Sequence, residues 1–222
     1  MNIELNSDMN VMFDYVKDFL AKTGGESPEW EAKAVGGFRP FRVRSEHTKR
    51  VFRWAERLLD DVKDNVAIDT EAVLTAVIFH DVGYGLSETG ADHAEKGAGV
   101  FEEYAAVNNM DKDKSGFISY LIRNHSTNKA IFNDENTPLE LIILMEADSL
   151  DELGAMSILW DCLAEGNENE QSYVKTYEKI KRFSGNILSN NPMRTAKARE
   201  YLAQKQDLVK AFLNQLEIDL GK

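Results

Sequence analysis

The sequence predicts an all-α protein. Apolar residues recur at helical spacing in most segments, no stretch has a convincing strand pattern, and only four prolines interrupt the chain. Apolar residues with a period near 3.6 lie on one face of a helix, whereas strict alternation would indicate a strand. We therefore expect one compact helical domain over residues 1–222, with a core at about 40–160 and C-terminal helices at 168–218 packed on it.

The first two helices follow from apolar stripes and the breakers between them. Residues 10–22 form the first predicted helix, and the glycines and prolines of TGGESPEW and VGGFRP indicate a loop of roughly twenty residues after it. Ser45 is the predicted N-cap of the second helix. Its apolar residues fall on one stripe: Val51, Trp54, Ala55, Leu58, Leu59 and Val62. His47 lies one turn before Val51 on that stripe.

The stretch AVLTAVIFHDVGYG, residues 72–85, opens with the predicted central helix, which has Thr70 as its N-cap. This helix is apolar on nearly every side, which is typical of a helix buried all round. It ends on His80 and Asp81, side by side. A buried carboxylate is costly unless a positive group meets it. The sequence therefore predicts a cation beside Asp81.

Further helices are predicted at residues 91–108, 115–124 and 138–148, and the last of these is expected to continue through LGAMSILWDCL. A polar break, EGNENEQ, precedes two amphipathic helices near 171–188 and 193–218. Residues 111–122, DKDKSGFISYLI, match the first half of an EF-hand loop, but Ile122 stands where the bidentate Glu belongs. We interpret this stretch as a polar loop with Ser115 capping the next helix.

Composition and charge exclude several classes of partner. The net charge is -12, which argues against a nucleic-acid duplex, since phosphate contacts need clustered Lys and Arg. No stretch approaches the apolar length of a membrane span, and the N-terminus has acidic residues where a signal peptide would be basic. The single Cys162 fits a reducing cytoplasm. These observations predict a cytoplasmic protein.

The four histidines of the chain combine with carboxylates into a candidate metal site. His47, His80, His93 and His125 all lie on apolar faces by periodicity, and Asp81, Asp148 and Asp151 lie in or beside apolar segments. Imidazoles with carboxylates bind divalent ions such as Mn, Fe, Co, Ni, Zn or Mg. The carbonyls and dipole at the end of the helix before His80 also favour a cation. A metal ion is the predicted partner of Asp81.

The order His47, His80-Asp81, Asp148 resembles the H…HD…D pattern of the HD-domain metal-dependent phosphohydrolases. The resemblance spans about residues 40–160 and is carried by SEHTKRVFRWAERL, AVIFHDVGYG, HAEKGAGVF, ISYLIRNHS and MEADSLDELGA. It implies an HD-type helical bundle with His47, His80, Asp81 and Asp148 as the ligands of one metal. It also implies that His93 and His125 hold a second metal or face substrate phosphates, so one or two ions per chain are expected.

Two branches of that family are disfavoured by local sequence. The segment after Asp81 lacks the Glu-Asp pair of the guanosine tetraphosphate hydrolases, and NHSTNKAIFN lacks the GYP signature of cyclic-di-GMP phosphodiesterases. The last two helices resemble those of small bacterial nucleoside triphosphate pyrophosphohydrolases. The resemblance therefore implies hydrolysis of a nucleoside triphosphate to monophosphate and pyrophosphate, with manganese as one candidate metal.

Supporting residues are proposed from their spacing. Asp81 and Asp151 are the candidate catalytic carboxylates, with Asp151 one helical turn past Asp148 and able to orient a ligand histidine or the water. Arg50, Lys96 and Arg123 lie near the histidines in sequence and are candidates for phosphate binding. A nucleoside monophosphate phosphatase, a phosphodiesterase and a non-catalytic metal- or nucleotide-binding domain remain alternatives, and a homodimer is left open.

Overall fold

The computed structural model describes residues 7–26, 43–64, 66–126, 132–166 and 172–222. Within these residues the chain forms helices and no strand, so the all-α prediction is confirmed. The helices, numbered in chain order, are α1 (Ser7–Thr23), α2 (Arg44–Val62), α3 (Thr70–Phe79), α4 (His93–Val107), α5 (Lys112–Asn124), α6 (Leu139–Glu152), α7 (Ala155–Gly166), α8 (Tyr173–Arg182) and α9 (Ala196–Asp219). Two 3-10 turns, Val82–Gly85 and Ser184–Leu188, follow α3 and α8.

Helix α3 lies at the centre of the bundle. Every residue from Ala72 to Phe79 is buried, because α1, α2, α4, α5 and α6 all pack against this helix. Such an apolar helix has no face suited to water, so burying it all round is the favourable arrangement. As a result, the C-terminal end of α3 brings His80 and Asp81 into the interior of the protein.

The helix caps differ from the predicted ones. Asp69, not Thr70, caps α3, because its carboxylate accepts a backbone N–H of the first turn at 2.9 Å. Asp111, not Ser115, caps α5 in the same way, also at 2.9 Å. Ser45 lies inside α2, which begins at Arg44. In the first two cases a carboxylate earlier in the chain offers a good cap and the helix starts there.

The EF-hand-like stretch does not form a calcium loop. Residues 112–122 belong to α5, so the coiled backbone that such a loop needs is absent from this stretch. Asp111 serves as a helix cap, as described above, and Ser115 lies in the first turns of the helix.

The helix predicted to run on from Asp148 is interrupted. Helix α6 ends at Glu152, and Gly154 adopts a φ of +75°, a left-handed backbone that glycine takes without strain. A Cβ at Gly154 would also lie 2.9 Å from Cγ of Lys205 on α9. The chain therefore turns at Gly154, and α7 begins after this turn.

The C-terminal helices pack on the bundle through α9. Ala198 and Leu202 of α9 join the main core, while Val209 and Leu213 form a smaller cluster with α7 and α8. The start of α9 is held by the buried Glu146 of α6. Its carboxylate accepts the backbone N–H and the hydroxyl of Thr195, at 3.0 and 2.6 Å, and the backbone N–H of Arg194.

Parts of two predicted loops lie outside the described residues. These parts are 27–42, within the loop predicted after the first helix, and 167–171, within the break EGNENEQ. The single-domain boundaries remain a prediction. Among the described residues, no helix is long and apolar enough to cross a membrane.

Glu146→Ala should destabilise the fold by about 2–4 kcal/mol, because it leaves buried N–H and O–H donors at the start of α9 without an acceptor. Urea denaturation would measure this change in the free energy of unfolding. The control is Glu200→Ala, which removes an exposed ion pair with Lys197 and should change stability by less than about 0.5 kcal/mol. Equal effects of the two substitutions would contradict the anchoring role of Glu146.

Candidate metal centre

The four histidine side chains are held by the same kind of contact. In each of them Nδ1 is hydrogen-bonded to an oxygen acceptor, so a neutral ring carries its hydrogen on Nδ1 and its lone pair on Nε2. The contacts are His80 to the Val77 carbonyl at 2.7 Å, His93 to the Gly90 carbonyl at 2.6 Å, His125 to the Ile122 carbonyl at 2.7 Å, and His47 to Asp151 Oδ2 at 2.7 Å. All four Nε2 atoms are therefore available to a cation.

His47, His80, Asp81 and Asp148 form a first cluster of ligand atoms. His47 Nε2 lies 3.1 Å from Asp148 Oδ1, 3.4 Å from His80 Nε2 and 3.5 Å from Asp81 Oδ2. His80 Nε2 lies 3.6 Å from Asp81 Oδ2 and 3.9 Å from Asp148 Oδ1. Ligands about 2.0–2.2 Å from one ion are separated from each other by about 3–3.5 Å. His47, His80 and Asp148 thus lie close enough to share one ion, and Asp81 Oδ2 lies within 3.6 Å of both imidazoles.

The other two histidines face the opposite oxygen of Asp81. His93 Nε2 and His125 Nε2 lie 3.5 and 3.7 Å from Asp81 Oδ1 and 3.2 Å from each other. His80, Asp81 and His125 also lie close enough to share one ion. Asp81 is therefore placed between the two pairs of imidazoles, with one carboxylate oxygen toward each pair.

Arg44 is the positive partner of Asp81 that the sequence analysis missed. Its Nη1 donates to Asp81 Oδ2 at 2.7 Å, and both side chains are buried, with exposed fractions of 1% and 5%. Arg44 precedes His47 by three residues, so both lie on one face of α2. That spacing was the available signal. Asp81 thus has a cationic neighbour within the chain besides the predicted metal.

The backbone places these groups through helix ends. His80 and His125 follow α3 and α5 directly, and His93 is the first residue of α4. The 3-10 turn after Asp81 packs so tightly on α4 that a Cβ at Gly83 would lie 2.0 Å from the His93 carbonyl oxygen. Only glycine permits this approach, which brings His93 beside Asp81.

Asp151 and Arg50 support the cluster from behind. Asp151 Oδ2 accepts from His47 Nδ1, and its two oxygens accept from Arg50 Nε at 2.8 Å and Nη2 at 3.0 Å. A carboxylate in this position fixes the ring orientation of a ligand histidine and raises its basicity. Because Asp151 contacts the far nitrogen of His47, this geometry favours an orienting role for Asp151, and Arg50 is paired with it.

Lys96 and Arg123 have partners outside the cluster. Lys96 contacts Asp92 at 2.9 Å and the Leu86 carbonyl at 2.6 Å. Arg123 contacts two carboxylates, those of Glu95 and Glu102, at 2.7 and 3.1 Å. Among the described residues, neither cation forms an ion pair with the His/Asp cluster. Phosphate binding by these two residues remains a prediction.

Burial and neighbouring carboxylates give two of the candidate ligand histidines opposite protonation states. Burial lowers the pKa of His80 to about 4, so this ring is neutral. Burial also acts to lower the pKa of His47, but hydrogen bonds with Asp148 and Asp151 outweigh it and raise the pKa to about 9. At neutral pH the His47 ring therefore carries a second proton, which lies between Nε2 and Asp148.

The same surroundings keep the carboxylates ionised. Burial alone would raise the pKa of Asp81, but His80, Arg44 and the other imidazoles hold it well below its usual value. The pKa of Asp148 is lowered as well, since the effect of its hydrogen bond with His47 exceeds that of burial. Asp148 is 28% exposed, which makes it the most open of the four candidate ligands. The cluster thus presents ionised oxygens and, once His47 loses its proton, a full set of nitrogen lone pairs.

This donor set fits a divalent metal. The two pairs of Nε2 atoms are separated by 3.4 and 3.2 Å, and when all four rings are neutral each pair presents two lone pairs that one cation would bind. Imidazole and carboxylate together suit Mn, Fe, Co, Ni or Zn, and Cys162, the one cysteine of the chain, belongs to α7, which supplies none of these ligands. The residues in place are therefore those that such an ion requires.

The match with a protein family covers the same part of the chain. The HD domain family model matches residues 44–153, from the first residue of α2 to the residue after α6. The chain contains an HD domain. The resemblance that the sequence motifs carry is thus confirmed, while the triphosphate pyrophosphohydrolase branch stays a prediction. Among curated protein sequences, none matches this chain.

Solved structures with the same fold extend the likeness to the C-terminal helices. An HD-superfamily hydrolase from Bacillus thuringiensis is 16% identical, with a TM-score of 0.65 over 96% of this chain and 97% of that one. A predicted HD-superfamily hydrolase from an uncultured Thermotogales bacterium is 20% identical, with a TM-score of 0.60 over 93% and 92%. Bacillus subtilis YpgQ, solved in complex with ADP, is 20% identical, with a TM-score of 0.62 over 95% and 94%.

Metal uptake should release a proton from His47. In the metal-free protein its pKa of about 9 lies above the ordinary 6.5, so the proton is present at neutral pH and lost as the pH rises through about 9. A metal that takes Nε2 must displace this proton. Titration of Mn²⁺ by calorimetry in buffers of different ionisation enthalpy should show release of this proton near neutral pH and a smaller proton release as the pH approaches 9. Binding without proton release at neutral pH would contradict this protonation state.

Proposed function

We propose that this protein is a divalent-metal-dependent phosphohydrolase that cleaves nucleoside triphosphates to the monophosphate and pyrophosphate. The observation that carries the proposal is the convergence of four imidazole Nε2 atoms on the two oxygens of the buried Asp81. Arg44 supplies one positive charge beside Asp81, and the imidazole and carboxylate atoms around it are the ligands that divalent ions of this kind take. The HD domain and the hydrolases that share its fold support the same class of reaction.

The donor set favours a catalytic over a structural metal. Structural sites are usually closed tetrahedra with thiolates, whereas catalytic sites leave a position for water or substrate. The cluster contains no thiolate, and Asp148 is partly exposed. This opening would let a phosphate reach the ligand atoms. A non-catalytic metal-binding domain is therefore the less favoured alternative.

The chain's own residues would divide the work as follows. His47, His80, Asp81 and Asp148 would hold the ion, which when bound lowers the pKa of a water and polarises a phosphoryl oxygen. Asp151 keeps His47 Nε2 aimed at the cluster, and Arg44 keeps Asp81 ionised and in one orientation. Because phosphoryl transfer depends mainly on positioning and charge neutralisation, no covalent step by the protein is required.

His93 and His125 extend the candidate site to the second oxygen of Asp81. They bring only two nitrogens to Asp81 Oδ1, so a second ion here, or a phosphate in its place, would find open positions. A polyphosphate chain would engage both pairs of histidines, whereas a monophosphate would engage one. This geometry favours a triphosphate over a monophosphate as the substrate.

A nucleotide is supported as the substrate class by a structural relative. YpgQ from Bacillus subtilis, which has the same fold, was solved in complex with ADP. The net charge of -12 would keep long nucleic acids away, while a site with local cations can still hold a single nucleotide. The proposed metal is Mn²⁺ or another ion that accepts mixed nitrogen and oxygen ligands.

Incubation with Mn²⁺ and a deoxynucleoside triphosphate should yield the monophosphate and pyrophosphate in equal amounts. Anion-exchange chromatography separates these products from orthophosphate. Asp81→Asn should reduce turnover by at least about a hundredfold, because it removes the one carboxylate that faces all four imidazoles. The matched control is Asp60→Asn, an exposed carboxylate on α2 that pairs with Lys63 and should leave turnover unchanged.

Each other outcome has a distinct meaning. Orthophosphate released from monophosphates, with triphosphates untouched, would replace this proposal with a nucleotidase. Turnover of a phosphodiester alone would replace it with a phosphodiesterase. Full activity of Asp81→Asn, or full activity in excess chelator, would contradict the metal-dependent hydrolase itself.

A further inference from the structure

Tyr84 lies between two groups of the candidate metal centre. The Cζ atom of Arg44 is 3.5 Å from the centroid of the Tyr84 ring. The imidazole of His93 stacks on the same ring with centroids 4.2 Å apart and an interplanar angle of 18°. Two groups this close cannot share one face of a six-membered ring without overlapping. The phenol ring is therefore clamped between the guanidinium and the imidazole.

The two outer layers of this stack end on the two oxygens of Asp81. Arg44 Nη1 donates to Oδ2 at 2.7 Å, and His93 Nε2 lies 3.5 Å from Oδ1. Oδ2 is also the oxygen nearest His47 and His80, while Oδ1 faces His93 and His125. A rotation of the Asp81 carboxylate would disturb both contacts at once, and the Tyr84 ring separates the two groups that make them.

The backbone holds Tyr84 in this position. Its N–H donates to the Asp81 carbonyl at 3.1 Å, which ties the ring to the residue whose side chain it surrounds. Gly83, the preceding residue, packs against the backbone of α4 at a distance that allows no Cβ. A Cβ at Gly90 would lie 3.0 Å from Cε1 of Tyr84, so the turn before α4 closes against the edge of the ring.

We infer that Tyr84 is a positioning residue of the metal centre, acting through Arg44 and His93 to fix how the Asp81 carboxylate faces its two pairs of imidazoles. The inference rests on the proposed metal-dependent function. The required property is a flat aromatic face, because both cation–π contact and ring stacking need one. A side chain that merely filled the space would be replaceable by any apolar residue of similar volume.

Titration with Co²⁺, followed by visible absorption and calorimetry, separates these roles without any turnover. Tyr84→Leu keeps the bulk but loses the aromatic face. We expect it to weaken Co²⁺ binding by about tenfold and to change the absorption spectrum, since groups behind metal ligands influence affinity by about 10–100-fold. Tyr84→Phe keeps the face and should bind within about threefold of the unsubstituted protein.

Tyr201→Leu is the matched control. Tyr201, on α9, also contacts an aromatic ring, that of Trp54, and a cation, Lys197. Its substitution should leave Co²⁺ affinity and spectrum unchanged. If Tyr84→Leu does not fold by circular dichroism, Arg44→Lys provides the second test, because it keeps the positive charge beside Asp81 and loses the planar group. We expect the same tenfold weakening and spectral change.

Wild-type affinity and spectrum in folded Tyr84→Leu, or in Arg44→Lys where that second test is needed, would overturn the inference and leave the metal-dependent function standing. A loss in Tyr84→Phe as large as in Tyr84→Leu would also overturn it, since the hydroxyl would then be the important group. If the unsubstituted protein binds no Co²⁺ and no Mn²⁺, the proposed function fails and the inference fails with it.

Discussion

The structure depends on one buried carboxylate, that of Asp81. It lies at the end of the most apolar helix of the protein, where an isolated charge would not be tolerated. Arg44 and four imidazoles surround it, and these groups come from α2, α4, α5 and the end of α3. Four segments thus pack around the Asp81 carboxylate. Because α3 is buried, this carboxylate lies inside the protein.

The histidine contacts fix the orientation of the four rings in the candidate metal centre. A ring that donates from Nδ1 to a backbone carbonyl or a carboxylate has little freedom to rotate, so its Nε2 atom is aimed before any ion arrives. Three of these contacts span three residues at the start or end of a helix. At the C-terminal ends of α3 and α5, carbonyls without intrahelical partners accept from His80 and His125, and the Gly90 carbonyl before α4 accepts from His93. The conformational entropy of these rings is therefore lost when the protein folds and not when an ion binds.

The sequence predicted the elements that depend on local pattern. Helical periodicity gave the all-α class and the central position of α3, and the inward faces of α2 and α6 pointed to His47 and Asp148. Caps were less predictable, because Asp69 and Asp111 compete with nearby hydroxyl residues and only the folded backbone decides between them. Beside the turn at Gly154, the Leu153 carbonyl accepts from Lys205 Nζ at 3.1 Å, a partner that is far away in the sequence.

Long-range pairing explains what sequence reasoning could not reach at the site. Arg50 pairs with Asp151 across about a hundred residues, a contact that spacing does not reveal, and its role toward a substrate phosphate stays a prediction. The stack of Arg44, Tyr84 and His93 joins three separate segments, so no periodic pattern in the sequence indicates it. Residue type and spacing identify candidate metal ligands because each candidate needs only an inward position, whereas supporting residues are defined by their neighbours.

Anomalous diffraction from crystals soaked in Mn²⁺ would show whether the four side chains hold one ion. We expect a peak about 2.0–2.3 Å from His47 Nε2, His80 Nε2, Asp81 Oδ2 and Asp148 Oδ1. Such a peak would place the ion where the side chains already converge. Crystals that take up Mn²⁺ elsewhere, or that leave this point empty at saturating Mn²⁺, would contradict this expectation.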